Sequence, residues 1–283
     1  MIAFLALATA LSAAAVPSVE LAPRHARPGD AFLVVVRGEL AAAPTGAVAG
    51  RDLAFFRGRA AQIAVAGLPV ETPAGPLDVT VWAEAEGGGE HSPLPLHATL
   101  DVAAPEFPHR ELRVQREYVT PPAHEVQRRI EEDRSAFARA FAQPEAPPLF
   151  RRPFAWPRRA RVTAGYGEER TLNGVKPSQH YGLDLAGRVG APVAASNDGR
   201  VVLVRDCWAS GKTVILWHGA GLYTTYFHLS RSAVTEGQLV RRGQRLGEVG
   251  ATGRVSGPHL HWGVRVGDLY VDPRSILQLR WGW

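Results

Sequence analysis

Short apolar runs separated by proline and glycine are the feature that most limits the folds open to this chain. Between Val19 and about Val102 the runs include "AFLVVVRGEL", "AQIAVAGLPV" and "LDVTVWAEAE", with "RPGD" and "TPAGP" among the breaks. Runs of this length with period-two alternation are typical of β-strands, and proline and glycine mark the turns between them. We therefore expect an immunoglobulin-like antiparallel β-sandwich over residues 16–104, with an accessory role.

Strand-length runs return from Arg161 onward and are shorter and richer in glycine. They include "ARVTAGYG", "KTVILWHGAGLYTTYFHLS" and "HLHWGVRVGDLYVDP", with turns at "NDG", "HGAG" and "RRG". These turns favour hairpins, and no parallel crossover is expected. The chain is thus predicted to be all-β with two domains, the second an antiparallel sheet or barrel-like domain over residues 158–283.

The segment between the two domains, residues 105–157, breaks the strand pattern. In "TPPAHEVQRRIEEDRSAFARAFA" Thr120 can cap a helix and Pro121 suits its first position. Apolar residues then recur at helical spacing, namely Val126, Ile130, Phe137 and Phe141. We expect one amphipathic helix whose apolar stripe packs on one of the domains. The proline-rich stretch "AQPEAPPLFRRPFAWP" is predicted to be the linker that follows.

The first fifteen residues, "MIAFLALATALSAAA", contain no charged side chain and end in small residues. This pattern predicts a secretory signal peptide at residues 1–15 that is cut near Ala15. The apolar run is too short to span a bilayer as a helix, so an uncleaved anchor is the less favoured alternative. We expect no transmembrane span elsewhere and an exported protein, in the periplasm, the cell envelope or the medium.

The charge of the chain favours anionic partners. The formal net charge is +5, and arginine supplies nearly all the positive charge because Lys176 and Lys212 are the only lysines. For an exported chain we expect the anionic polymers of a cell envelope as partners rather than nucleic acid. An arginine-rich composition without any binding role is the alternative. The single cysteine, Cys207, excludes an internal disulfide and a cysteine-rich zinc site.

Two histidines in "GPHLHWG" lie one residue apart near the end of the chain. On a strand His259 and His261 share one face, while Leu260 and Trp262 point to the other. Each imidazole has a donor and an acceptor to satisfy, so the pair is expected in a cleft and not in an apolar core. An ordinary strand with two exposed rings is the alternative.

A second cluster, "QHYGLDL", contains His180 and Asp184. In an ideal strand these residues would lie about 13 Å apart, too far to share one ion, but a bend at Gly182 could bring them together. A third position is His228 in "YFHLS", whereas His218, in the "HGAG" turn, is expected to be exposed.

These residues can form one chemical site. Two imidazoles and one carboxylate with an open position describe a catalytic zinc site. The residues from the chain that fit are His180, Asp184 and either His259 or His261. The remaining histidines would be free to transfer protons.

Taken together, HxxxD, the downstream HLS segment and GPHLHWG resemble peptidase family M23, the lysostaphin and LytM group of zinc metallopeptidases. The similarity extends over most of residues 160–274. The resemblance implies that His180, Asp184 and His261 bind one Zn²⁺ and that His228 and His259 are the non-ligand catalytic pair. Zinc lowers the pKa of a bound water, and because no HExxH glutamate is present, a histidine must serve as base.

The activity that the resemblance implies is that of a secreted or periplasmic zinc metalloendopeptidase. Its substrate would be the peptide bonds of peptidoglycan, in stem peptides or cross-links. The main alternative is a non-catalytic LytM-type regulator or wall-binding module that activates other hydrolases. A biotinyl- or lipoyl-type carrier module, suggested by "GQLVRRGQRLGEVG", is disfavoured because that segment has no lysine to modify.

The segment upstream of His180 departs from the family pattern. Several members carry an active-site tyrosine shortly before the first histidine, and "EERTLNGVKPSQ" contains none. Tyr166 is further away, and Tyr226 could substitute, although we expect it to be a packed strand residue. Arg170 and Asn173 are expected to be turn residues rather than substrate contacts. The sequence predicts neither the bond cleaved nor the oligomeric state.

Overall fold

The computed structural model describes residues 16–86, 92–119 and 124–281, which form a mostly β protein with two α-helices. The predicted signal peptide and the helix-capping positions Thr120 and Pro121 lie outside these residues. The strands of the N-terminal unit are β1 Ser18–Ala22, β2 His25–Ala26, β3 Ala31–Arg37, β4 Thr45–Val48, β5 Arg51–Asp52, β6 Phe56–Arg57, β7 Gln62–Gly67, β8 Gly75–Ala83 and β9 Leu94–Val102.

The N-terminal unit consists of two sheets packed face to face. One has the order β1-β3-β7-β6 and the other β2-β9-β8-β4-β5. Side chains from both sheets, among them Phe32, Val81 and Leu100, form one apolar core. The pairs are antiparallel as predicted, except that β2 pairs in parallel with β9. This exception is a two-residue strand at the end of its sheet, where a short extended segment can pair in either direction.

The remaining elements belong to the connecting segment and the C-terminal unit. They are β10 His109–Leu112, a 3₁₀ turn at Arg116–Tyr118, α1 His124–Phe141, β11 Val162–Ala164, β12 Glu169–Leu172, β13 Lys176–Gln179, β14 Leu183–Ala186, β15 Pro192–Ala194, β16 Gly199–Cys207, β17 Gly211–Trp217, β18 Leu222–Ser232, β19 Leu239–Val240, β20 Arg245–Val249, β21 His259–Val266, β22 Leu269–Val271 and α2 Pro273–Gln278.

The C-terminal unit is built on a ten-stranded sheet with the path β11-β14-β21-β18-β17-β16-β19. Every pair within this sheet is antiparallel, in agreement with the hairpin prediction. Leu260 and Trp262 are fully buried on the side of β21 opposite His259 and His261. Strand alternation therefore separates the core from the face that carries the histidines.

The predicted helix is confirmed over residues 124–141, and it packs on the C-terminal sheet. Ala136 and Ala140 join a small apolar cluster with Leu203 and Ile215 of β16 and β17. The buried Asp133 carboxylate fixes the helix, because it accepts a 2.6 Å hydrogen bond from Arg205 Nε. None of the helices in the described ranges is long and apolar enough to cross a membrane.

The connecting segment contains a strand that the sequence analysis did not predict. Strand β10 pairs in parallel with β12, and β12 pairs with β13, which forms a small three-stranded sheet beside the histidine-bearing face. Asn173 fastens the two parts together, with Oδ1 accepting from Val114 N at 2.9 Å and Nδ2 donating to Val114 O at 3.0 Å. The segment thus becomes part of the surface around the site.

The two units share a continuous apolar interface. Strand β3 has buried residues on both faces: Phe32 and Val34 lie in the N-terminal core, whereas Leu33 and Val35 lie in a second cluster with Ile276 of α2. A strand covered on both faces needs an unbroken apolar run, which explains "AFLVVV". Backbone contacts reinforce the interface, including Asp272 N donating to Gly29 O at 2.7 Å.

Candidate metal centre

A cleft of about 400 Å³ on the C-terminal unit gathers all five site residues named from the sequence. Its lining comes from β21, β18, the β13–β14 connection, the hairpin β12–β13 and the connecting strand β10, and it includes His180, Asp184, His228, His259 and His261. Residues that are distant in the sequence meet here because β21 lies between β14 and β18 in the sheet.

Three of the five residues converge on one point. His180 Nε2 lies 2.9 Å from Asp184 Oδ1 and 2.9 Å from His261 Nδ1, and His261 Nδ1 lies 3.0 Å from Asp184 Oδ1. Asp184 and His261 are direct partners in the β14–β21 register. His180 follows β13 and precedes a bend into β14, so the 13 Å separation of an ideal strand does not apply to this segment.

Gly182 in that bend is required by close packing. A Cβ atom at this position would lie 2.6 Å from His261 Nε2 and 2.8 Å from the carbonyl oxygen of Trp262. Both distances are below any normal contact, and the carbonyl belongs to the backbone of a central strand. The chain can therefore bring His180 and Asp184 next to His261 only with glycine at this position.

The hydrogen bonds around the three residues direct particular atoms inward. His180 Nδ1 lies 2.6 Å from the carbonyl oxygen of Gly165, so Nδ1–H donates there and Nε2 faces Asp184 and His261 with a lone pair. The second carboxylate oxygen of Asp184 accepts a 3.1 Å hydrogen bond from Arg170 Nη2. Each ligand candidate is thus oriented by an outer partner, as is usual around metals.

Electrostatics keep Asp184 and His261 in the protonation state that metal binding requires. Burial alone raises the pKa of Asp184, but the closely placed His180 and His261 rings outweigh it and hold that pKa well below its usual range. Burial lowers the pKa of His261 to about 4 despite its contact with Asp184. One carboxylate and two imidazoles whose donor atoms all lie within 4.8 Å of one another fit a divalent transition metal such as zinc.

His228 and His259 lie beside the three residues, and each exposes its Nε2 atom to the cleft. His228 Nδ1 donates to Thr252 O at 2.9 Å, and His259 Nδ1 donates to Gly257 O at 2.8 Å. The two ring centroids are 5.0 Å apart, and His259 Nε2 lies 3.5 Å from Asp184 Oδ1. Both rings are therefore held in the tautomer that leaves an Nε2 lone pair available.

The position of His228 depends on an irregularity in β18. Its backbone has φ of 62°, a left-handed conformation that is uncommon for residues other than glycine. The register of β18 against β20 shifts just after it, between Leu229 and Arg231. Such bulges redirect a side chain near functional sites. Burial and then the neighbouring His259 and His261 lower the pKa of His228 to about 3, so the ring is neutral.

His218 is buried, and the prediction that it is exposed is wrong. Its side chain has 0% exposure and packs between β17 and the rings of Phe150 and Phe154. The "PPLF" part of the proline-rich linker folds over the hairpin, with Leu149 N donating to His218 O at 2.8 Å. A turn motif cannot reveal that a segment distant in the sequence will cover it.

The tyrosine candidates lie outside the cleft. Tyr226 is a packed strand residue, as expected, since it is fully buried and accepts a 2.9 Å hydrogen bond from Ser196 N. Tyr166 is buried at the interface of the two units and donates to Tyr270 O at 2.8 Å. Tyr181 and Tyr270 do line the cleft. Neither was named from the sequence, although Tyr181 directly follows His180.

Arg170 and Asn173 have different roles, although both were expected to be turn residues. Asn173 is indeed the turn residue of the β12–β13 hairpin, with φ of 50°. Arg170 lies within β12 and binds Asp184 and the buried Glu168, so the prediction was wrong for this residue. The sequence analysis also missed Arg110 and Arg254, which line the cleft. Their only sequence signal was the arginine-rich composition.

Comparisons with known proteins agree with this site. The profile of "Peptidase family M23" matches residues 178–273, which contain all five site residues. The peptidoglycan DD-endopeptidase ShyB of Vibrio cholerae is 40% identical over 115 residues, which are 40% of this chain and 26% of ShyB. The chain thus spans about a quarter of the length of this curated relative.

Two solved structures extend the comparison. A peptidase M23 structure from Pseudomonas aeruginosa has a TM-score of 0.65 and 28% identity, covering 90% of this chain and 95% of that chain. The likeness therefore includes the N-terminal unit as well as the cleft. The catalytic domain of lysostaphin from Staphylococcus simulans is 30% identical, with 42% of this chain and 93% of that chain covered and a TM-score of 0.38.

Proposed function

We propose that this chain, whose residues 178–273 match the profile of peptidase family M23, is a zinc metalloendopeptidase that hydrolyses peptide bonds of peptidoglycan. The observation that carries the proposal is the single cleft in which a metal-binding triad lies beside two further histidines with available Nε2 atoms. A structural histidine cluster would have no need for two rings that are held in the same tautomer and whose Nε2 atoms form no hydrogen bond with any described residue.

We assign one zinc ion to His180 Nε2, His261 Nδ1 and one Asp184 carboxylate oxygen. Zinc bound to such a set supplies Lewis acidity, which makes a water molecule more acidic and a peptide carbonyl more electrophilic. Arg170 restrains the other Asp184 oxygen, and the Gly165 carbonyl fixes the His180 tautomer. Both contacts keep the ligands oriented before any metal arrives.

We assign the proton transfers to His228 and His259. The Thr252 carbonyl holds His228 with Nε2 free, so this ring can accept the proton of the attacking water as general base. His259 Nε2 lies on the Asp184 side of the cleft, and in the protonated form of the ring it can donate a hydrogen bond to the oxygen that becomes negative, or a proton to the leaving amine. These roles need no glutamate base, and no glutamate lines the cleft among the residues that the structure describes.

Peptidoglycan is the substrate best supported by the relatives and by the charge of the chain. ShyB is a peptidoglycan DD-endopeptidase by name, and its similarity to this chain is confined to about 115 residues. The net charge of +5 suits an anionic wall polymer, and we propose no nucleic-acid partner. We place the protein outside the cytoplasm, in the periplasm or cell envelope, where this substrate lies.

The same proposal includes the domain organisation. We infer a signal peptide at residues 1–15, an immunoglobulin-like accessory domain at 16–104, a connecting segment at 105–157 and a barrel-like peptidase domain at 158–283. The shared apolar interface between the two units supports an accessory domain that positions the peptidase rather than one that is loosely tethered.

Digestion of purified sacculi tests the proposed function. Zinc-loaded protein should release cross-link fragments that mass spectrometry can identify, whereas His261→Ala should release none and retain less zinc. Tyr226→Phe, a core variant outside the cleft, is the matched control and should stay active. If wild-type protein binds sacculi with no cleavage and no stoichiometric metal, the non-catalytic regulator replaces the enzyme.

A further inference from the structure

The cleft contains more positive charge than its own carboxylates neutralise. Three arginines line it, Arg110, Arg170 and Arg254. The carboxylates in contact with them among the described residues are Glu168 and Asp184. One guanidinium is therefore left uncompensated, before the charge of any metal is counted.

Two of the three arginines are held by protein groups. Arg170 Nε donates to Glu168 Oε1 at 2.7 Å and Nη2 donates to Asp184 Oδ2 at 3.1 Å. Arg110 Nη2 lies 3.4 Å from Glu168 Oε2. Glu168 itself is only 2% exposed, so these pairs form a fixed wall of the cleft.

Arg254 is the third arginine, and no described carboxylate holds its side chain. Its backbone N donates to Ala209 O at 2.7 Å, which fixes the loop between β20 and β21. Its half-buried side chain forms no hydrogen bond or ion pair with any described residue. Burial, and then the charge of Arg170, lowers the pKa of this guanidinium, which means that an anion beside it would be favourable.

The apolar part of the cleft lining indicates what kind of anion fits. Val255 follows it on the same loop, and Leu112 and Val114 of the connecting segment and Leu172 of β12 also line the cleft. An anionic group on an aliphatic chain matches a guanidinium beside apolar walls better than free phosphate does. The subsite is also close to the chemistry, because Arg254 lies two residues after Thr252, whose carbonyl orients His228.

We propose that Arg254 binds a carboxylate of the substrate next to the scissile bond, and so makes this site selective for cross-links that carry a free acid. The inference rests on the proposed peptidoglycan function and names a feature of its substrate. In a D-alanyl–diaminopimelate cross-link, the carbon that bears the acylated nitrogen also carries a free carboxylate, which is the group assigned here. Bidentate pairing with a guanidinium is the geometry by which arginine recognises carboxylates.

Two synthetic cross-linked peptides test the assignment, one with that carboxylate free and one with it converted to a primary amide. We expect wild-type protein to cleave the acid with kcat/KM about 10- to 100-fold above the amide. Arg254→Gln should lower cleavage of the acid and leave the amide unchanged, which removes the preference. Arg254→Lys should keep part of it, and Arg188→Gln, which removes an exposed arginine outside the cleft, should keep all of it.

Binding of the same peptides to zinc-loaded full-length His228→Asn, measured by calorimetry, separates this inference from the proposed function. Tighter binding of the acid that disappears with the added Arg254→Gln change supports the subsite, whether or not wild-type protein cleaves. Equal binding and equal cleavage of both peptides would overturn it, even if sacculi are digested. A uniform loss on both peptides in Arg254→Gln would also overturn it, because that result indicates a merely structural role.

Discussion

His218 lies in the turn between β17 and β18, and His228 lies within β18. Both are buried histidines whose pKa is lowered by burial. Their surroundings differ in one respect. His218 has both nitrogens engaged, with Nδ1 donating to Asp198 O at 2.7 Å and Nε2 2.8 Å from Thr224 Oγ1. His228 has only Nδ1 engaged by described residues, and its Nε2 faces the cleft.

The hydrogen bonding of the second ring nitrogen distinguishes a core histidine from a chemically available one. Burial and a lowered pKa are common to both, so neither property identifies function. What distinguishes them is whether the second nitrogen is satisfied within the protein. The backbone agrees with this distinction, since His228 adopts φ of 62° whereas no such strain occurs at His218.

The largest expected effect comes from exchanging each histidine for asparagine. His228→Asn should lower kcat about 10²- to 10⁴-fold with zinc content unchanged, because the proposed general base is lost and asparagine tolerates the left-handed backbone. His218→Asn should leave activity per folded molecule nearly unchanged but lower the free energy of unfolding by about 2–3 kcal/mol, since two buried hydrogen bonds are disturbed. Sacculus digestion and urea unfolding measure both; the opposite pattern would reverse the two roles.

A smaller but site-specific effect is expected at Gly182. Gly182→Ala should weaken zinc binding about 10- to 100-fold, because the new Cβ would lie 2.6 Å from His261 Nε2 and displace that ring. Gly257→Ala is the matched control, since an added Cβ there meets no atom within 4 Å and its φ is not left-handed. Competition with a chelating dye gives the affinities, and equal affinities in the two variants would refute the packing argument.

The pH dependence of the unfolding free energy tests the burial of His218. The pKa of His218 is lowered from 6.5 to about 4, so the unfolded chain binds a proton that the folded protein does not. The contribution of neutral His218 to stability is therefore fully present above pH 6.5. It is lost as the pH falls toward 4, by up to about 3 kcal/mol. The difference in unfolding free energy between wild type and His218→Asn should shrink by about 2.5 kcal/mol between pH 7 and 4.5.

Asp30 acts in the opposite direction over the same pH range. Burial raises its pKa to about 6, so its protonation stabilises the folded state as the pH falls. Because Asp30 is present in both proteins, its contribution cancels in the difference between them. A difference that stays constant from pH 7 to 4.5 would contradict the assignment of the titration to His218.

The smallest expected effect is at Tyr226, which lies near His218 and was a candidate for an active-site tyrosine. Tyr226→Phe should cost about 1–2 kcal/mol of stability, because the hydrogen bonds of the hydroxyl with Ser196 are lost in the core. Activity on sacculi should change less than about twofold. A hundredfold loss of kcat in a stable variant would mean that Tyr226 reaches the reaction.

Local sequence patterns were enough to predict the strand-rich architecture, the helix and the candidate metal ligands. Period-two alternation forces one face of each strand inward, and this rule alone separates His259 and His261 from Leu260 and Trp262. The helix at 124–141 was predicted from apolar residues that recur at helical spacing and so lie on one face. Both inferences depend on neighbours in the sequence.

Which side chains come into contact depends on the tertiary structure. The burial of His218 results from a linker some seventy residues earlier in the chain, and the role of Arg170 results from the close approach of β12 to Asp184. The pairing of the connecting strand β10 and the position of Arg254 in the cleft also depend on the tertiary structure. A local pattern fixes which face a side chain occupies, whereas its partners depend on which distant segments pack against that face.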